Sequence, residues 1–476
     1  MKTSKLIFVF TIILCLQYSL KAQNKNTLTL KQCVETALAN NIQVKQSGLQ
    51  ADVAEVNLKQ AKSNLLPDLN GNFGYGFNQG RNVDPLTNSY INQQLASSNA
   101  SLSSGIILFN GMRLQNLIKQ TSLTYNAAKS DLQQEKDNLT LNVILAYLQV
   151  LSNEDVLAIN TAQAEVTKKQ LERLGVLLKE GATANYQLAD LKGQLANEEI
   201  QIINSTTLLL QSKLRLCQLM NIAYNENLEL EKTDVELPSS QYAFSTADIY
   251  QSSLQNLAII KANEFKIKSA ATGIRVNQAG FYPIISLNGN LGSSYSSLAQ
   301  TLNPTNSTEI QTGSYVIFNN TQAPVLKQQQ NYSSSKTGYT KQMNNNLGTF
   351  VGINMQIPLF NNFLNINRVK LANINLKNTQ LEADNIKNLL SQNIEQAHMN
   401  MMSSYKRNEI LTGQVKDFEE SFRAAEVRFN TGVINSSEYI ISKNNLDRSK
   451  INLAQAKYEY LFRIKILDFY QGKLSW

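Results

Sequence analysis

Histidine is almost absent from this chain: His398 stands alone among 476 residues. Three cysteines and one tryptophan complete the scarcities. Neither a zinc site nor a serine–histidine–aspartate triad has its parts here, so no metal or cofactor is expected and no enzyme is read. Cys33 and Cys217 lie in helical patterns beside apolar residues, which favours buried free thiols over a disulfide. No Lys/Arg cluster with interleaved aromatics occurs in any window, and this argues against nucleic-acid binding. Beyond the first residues, no apolar run is long and clean enough for a transmembrane helix. Any membrane contact must therefore come from strands.

The N-terminus reads as a secretory signal over 1–22. Lys2 and Lys5 form a basic start, Leu6 to Leu16 an apolar core, and Leu20-Lys21-Ala22 a small-residue cleavage site. Cys15 suggests a lipid attachment site, but Leu14 stands where a small residue is needed, so lipidation is not expected. Removing the signal strips three lysines and no acid, which lowers the net charge from +8 to +5.

Proline is also rare, and its placement divides the chain. The seven prolines leave 86–237 and 359–476 empty, and a helix interior tolerates proline least. Both stretches carry apolar residues at three- and four-residue spacing, as in Leu132, Leu139, Val143, Ala146, Val150 and Ile159. Helices are expected from about Met112 to Glu180 and from Phe363 to Thr431. At 1.5 Å per residue each would be roughly 100 Å long. Gly181 and Gly432 then interrupt the pattern as C-terminal glycine caps, and helices return over about Tyr186–Met220 and Ser437–Gly472. Earlier helices are expected from a Thr29/Gln32 capping box to Leu66 and from Ala247 to Tyr282.

What the chain does have is written twice. Leu65-Leu66-Pro67 returns as Phe281-Tyr282-Pro283, Leu108-Phe109-Asn110-Gly111 as Leu359-Phe360-Asn361-Asn362, and Gly181 as Gly432. The last two pairs share one offset, 251 residues. Three markers in one order indicate a duplicated unit of helix, strand, loop, strand, long helix, turn and helix. The halves divide as 23–240 and 241–476. At the 251 offset His398 falls opposite Tyr147, which suggests packing rather than base or metal chemistry.

The strands carry the membrane argument. Phe73, Tyr75 and Phe77 share one face, with Asn70, Asn72, Gly74 and Asn78 on the other. Val351, Ile353 and Met355 alternate likewise with Gly352, Asn354 and Gln356. Staves of a transmembrane barrel alternate this way, and so does a half-buried soluble sheet. The connections 78–100 and 293–346 are long, polar and nearly free of acid, as barrel loops outside a cell are. Gly71-Asn72-Phe73-Gly74-Tyr75-Gly76 lacks the following basic residue of a nucleotide loop. Four strands cannot close a barrel, so several chains would have to share one.

These repeats resemble the TolC family of outer-membrane efflux proteins. The resemblance rests on Leu28-Thr29-Leu30 leading to Ala37-Leu38-Ala39-Asn40-Asn41, on Leu65-Leu66-Pro67, and on Leu108-Phe109-Asn110-Gly111. It continues in Pro358-Leu359-Phe360-Asn361 and from Arg428 through Gly432 to Glu438-Tyr439. It implies a mainly α fold with a β-barrel part: a homotrimer with twelve strands in one outer-membrane barrel and twelve helices in a periplasmic α-barrel. It also implies hairpin tips at Gly181 and Gly432 that meet a periplasmic adaptor protein. Glu438 would line the aperture, with Gln187 at the matching place in the first repeat. Ile441 stands where a second acid is common, so a double acidic ring is not expected. The expected function is a passive duct in the outer-membrane lipid, driven by an inner-membrane pump. A coiled-coil scaffold or adhesin without channel activity is the alternative, and it leaves the duplicated strand–loop–strand unit unexplained.

Overall fold

In a computed structural model the described residues are 27–83, 88–92, 94–232 and 242–473. The signal sequence, Cys15 and the linker proline Pro238 lie outside them. The described residues form two compact units, one drawn from within 1–56, 122–270 and 375–476, the other from within 57–121 and 271–374. Each unit draws on both halves of the sequence.

The elements follow the repeat. The first half runs β1 (Thr27–Leu28), α1 (Leu30–Asn40), α2 (Ile42–Ser63), β2 (Asn70–Asn78), β3 (Arg81–Val83), β4 (Tyr90–Asn92), β5 (Leu95–Phe109), α3 (Arg113–Lys179), α4 (Asn185–Met220) and β6 (Glu229–Leu230). The second runs α5 (Thr246–Asn256), α6 (Ala258–Gln278), β7 (Ile284–Ser296), β8 (Gln300–Phe318), β9 (Thr321–Lys336), α7 (Tyr339–Asn345), β10 (Gly348–Gln356), α8 (Leu364–Asn430) and α9 (Ser436–Tyr470). Both long helices have 67 residues.

The helical unit has a core in each repeat. In the first, Cys33 and Val34 of α1 pack with Val143, Ile144 and Tyr147 of α3 and with Leu216, Cys217 and Met220 of α4. Tyr147 donates to Glu231 O at 2.6 Å and so ties α3 to the chain beyond β6, which pairs in parallel with β1. In the second, Ile249, Ile260, Ile394, Met401, Tyr460 and Leu467 play the same part. Both cysteines are free and buried, and burial, with Cys217 close by, pushes the Cys33 thiol up to about 12. A thiol held that far from ionisation is unreactive.

Two expected helices prove to be broken. The stretch read as continuous to Leu66 stops at Asn41, whose backbone is extended and whose Oδ1 accepts from the amides of Gln43 and Val44. Asparagine competes well for such a cap, so the helix ends and restarts there. The helix read as reaching Tyr282 breaks at Leu257, where Gln134 of α3 accepts from the Ile259 amide at 3.0 Å. The two α1-like helices begin with capping boxes, Thr29/Gln32 and Ser245/Asp248.

In the other unit the sheet order is β10-β7-β5-β2, antiparallel throughout. Asn70 pairs with Ser103, Phe109 with Ile285 and Gln356 with Ile284, so all four strand–helix junctions lie at one end of the sheet. Asp68 fixes the first junction, its Oδ1 accepting from the Gly105 amide at 2.6 Å. The segment expected as a long loop over 293–346 is instead largely a ribbon, β8 paired with β9, turning at Asn319 and Asn320. Both turn residues have positive φ, as the favoured two-residue hairpin turn requires. Below the ribbon the buried Gln342 exchanges hydrogen bonds with the Ser296 backbone, at 3.0 Å each way.

Candidate functional site

The two glycine turns are superimposable in their bonding. Gly181 N donates to Leu178 O and Ala182 N to Leu177 O; Gly432 N donates to Phe429 O and Val433 N to Arg428 O. Every donor and acceptor shifts by the same 251 residues. The glycines sit at φ +74° and +75°, in the left-handed region that closes such helix ends. Nothing lies within 4 Å of where a Cβ would stand on either, so the turns face open space.

Around the turns the two hairpins are locked together. Leu174, Leu191, Phe429, Ile434 and Tyr439 form a buried cluster in which the Phe429 and Tyr439 rings stack at 4.7 Å. Arg173 of α3 donates to Asn430 of α8, to its backbone oxygen at 2.9 Å and to its side-chain oxygen. Ser436 at the start of α9 donates to Asp190 of α4 at 2.7 Å. Further along, Lys443 of α9 reaches Glu198 of α4 at 2.7 Å and Asp447 at 2.6 Å.

Lys443 is the most deeply placed charge in this region, with 2% of its side chain exposed, against 8% for Glu198 and 15% for Asp447. Thr167 and Gln194 also donate to Glu198 Oε1. Glu198 Oε2 and Gln163 Nε2 find no partner among the described residues, and both residues line a polar cleft of about 460 Å³. Burial pushes the Asp447 carboxyl up, with Lys443 pulling the other way. Burial likewise pushes the Tyr439 hydroxyl up.

Glu438 is exposed in the first turn of α9, its amide donating to the Asn435 side chain at 2.9 Å. Gln187 occupies the matching turn of α4 and accepts from Thr183 at 2.7 Å. Ile441 is exposed. Sequence reasoning found the turns but missed the Lys443 cluster. Its one local trace, Lys443 four residues before Asp447, looks like an ordinary surface pair.

On the sheet, Phe73, Tyr75, Phe77, Val351, Ile353 and Met355 are all exposed, at 55–75%. They lie on β2 and β10, the two outer strands, whose far edges have no partner among the described residues. A soluble sheet would turn such residues onto a core. Exposed apolar edges of this length demand a covering.

The family profile for outer membrane efflux proteins matches residues 33–221 and again 249–465. The chain belongs to that family. It is thus a TolC-like outer-membrane efflux channel protein and not an enzyme, and its match falls on the two repeats. Outer membrane protein TolC of Salmonella enteritidis is 23% identical over 480 residues, covering 100% of this chain and 87% of the relative. TolC of Escherichia coli is 23% identical over 442 residues, with 91% and 80% covered. Among solved structures, the Campylobacter jejuni CmeC outer membrane channel superposes with a TM-score of 0.74 at 16% identity, covering 94% of this chain and 86% of that one. Vibrio cholerae VceC gives 0.74 at 14% identity, with 93% and 96% covered. These likenesses establish the fold: a mainly helical chain with a strand part, built from two repeats.

Proposed function

We propose that three copies of this chain close one twelve-stranded barrel through the outer membrane, and that their helices form a periplasmic duct. The observation that carries this reading is the pair of sheet edges, β2 and β10, nine residues each, that have no partner among the described residues. An open edge is not tolerated in lipid, and joining β10 of one copy to β2 of the next satisfies both. The number three follows from the family resemblance.

In this reading the turns at Gly181 and Gly432 are the docking tips for a periplasmic adaptor protein, and an inner-membrane pump supplies the energy. Exposed Tyr186, Val176 and Val433 around the turns offer apolar contacts for such a partner. Glu438 and Gln187 face the aperture at the duct's inner end, a single acid per copy with exposed Ile441 in place of a second. The outer-membrane lipid covers Phe73, Tyr75, Phe77, Val351, Ile353 and Met355.

Single-channel recording of the detergent-purified protein in planar bilayers, beside its mass by native mass spectrometry, tests this. A trimeric mass with small, discrete conductance is the expected result. A water-soluble chain that never inserts would overturn the proposal in favour of a helical scaffold.

A further inference from the structure

The four strand–helix junctions gather charge of one sign. Lys62, Arg113, Lys119, Arg275, Arg368 and Lys370 all lie within about two turns of the helix ends that flank the sheet, are exposed, and make no ion pair among the described residues. The same junction segments contain one acid, Asp68, whose oxygens already accept from the Gly105 amide and the Asn70 side chain. These residues come from four stretches far apart in the chain, so no sequence window reveals the cluster. At the opposite end of the sheet the β8–β9 ribbon carries Glu309, Lys327 and Lys336 as its only charges.

The same junction segments carry an apolar band: Leu66, Phe281, Tyr282, Leu359, Phe360 and Phe363 are each at least half exposed. Where Phe281, Tyr282 and Arg275 meet, a cleft of about 800 Å³ opens, whose walls also include Phe109, Met112 and Asn116. Aromatic walls with one guanidinium suit an amphipathic ligand that carries a phosphate. Aromatic residues followed by basic ones are also the pattern of a membrane–water interface.

We propose that this belt binds the headgroups of anionic phospholipids, with Arg275 holding a phosphodiester in the aromatic cleft. The inference rests on the barrel reading above, since it needs the strands in a bilayer. Lipid, rather than nucleic acid, is the anion assigned because the basic residues border exposed apolar side chains instead of a polar groove.

The full-length protein is reconstituted in zwitterionic vesicles with and without phosphatidylglycerol, and retained lipid is counted by native mass spectrometry. Bilayer conductance is recorded in parallel. The variant R275Q/R368Q/K370Q is compared with K168Q/K169Q, which removes exposed lysines elsewhere on α3. At about 1 kcal/mol per basic residue near an anionic surface, each removal should lower phosphatidylglycerol retention by about fivefold. Conductance and retention by K168Q/K169Q should stay as in the parent. In the unmutated protein, retention should fall as salt rises. A triple variant that inserts, conducts and keeps phosphatidylglycerol like the parent overturns the lipid inference while leaving the barrel standing. Salt-independent retention by the parent overturns it without any variant. A parent that inserts in neither vesicle overturns the barrel reading and this inference with it.

Discussion

Replacing Lys443 by alanine should be among the most damaging single changes available to the helical unit. It would strand Glu198 and Asp447, 8% and 15% exposed, without their shared cation. Breaking a buried ion pair by removing one partner costs about 3–5 kcal/mol, because the survivor stays desolvated. Two survivors here place Lys443→Ala toward the upper end. Asp447 has the easier escape, since its carboxyl is already pushed up by burial and can take a proton. Part of the loss should therefore return as the pH is lowered from about 7 to about 5. Glu198 keeps its bonds from Thr167 and Gln194 in either case. Combining K443M with E198Q and D447N removes all three charges at similar volume, and it should recover most of the stability lost in K443A. Urea midpoints, with amide exchange along α9, report the effect, and bilayer conductance reports whether the hairpins part. A K443A midpoint equal to that of the parent would refute the reasoning. So would a triple variant no more stable than K443A.

Two further outcomes follow from particular residues. Gly432→Ala should cost only the left-handed backbone strain, about 1–2 kcal/mol, because its Cβ meets open space. Gly111→Ala adds to similar strain a Cβ placed 2.8 Å from Tyr282 Cβ and 2.9 Å from Ala279 O, so its thermal midpoint should fall clearly further. Equal midpoints would contradict that. Asp137, Glu154, Asp447 and Asp468 are all raised from their ordinary values by burial. The folded state then binds protons that the unfolded chain releases, so these groups add stability as the pH falls from about 7 toward 5. Asp248 is lowered by Ser245 and loses its contribution only below the ordinary value near 3.8. A melting temperature that drops between about pH 7 and 5 would show that other groups dominate.

Much of this architecture was legible because duplication supplies its own check. Long-helix ends fell within one residue of Met112, Glu180, Phe363 and Thr431, and both glycine turns stand where the repeat put them. The breaks at Asn41 and Leu257 were hidden because the apolar periodicity runs on through them. Only a side-chain cap from Asn41 itself, or from Gln134 across the fold, interrupts the hydrogen bonding. The β8–β9 ribbon escaped for the opposite reason. Both its faces are exposed, so its side chains show no period-two alternation. The tie between Lys443 and Glu198 links residues 245 apart, and no single sequence discloses such a pair.

The duplicated elbow has not stayed symmetrical. The helix that leaves the second turn starts with the Asn435 side chain holding the Glu438 amide, whereas the one that leaves the first starts at Ala184 with no side-chain cap. A cap of this sort contributes about 1 kcal/mol. One elbow is therefore set before anything touches it, and the other unwinds more readily in its opening turn. A molecule gripping both would do more of its ordering on the first repeat. It would find the second already capped, so the two arms of the repeated unit would differ in how much freedom each surrenders.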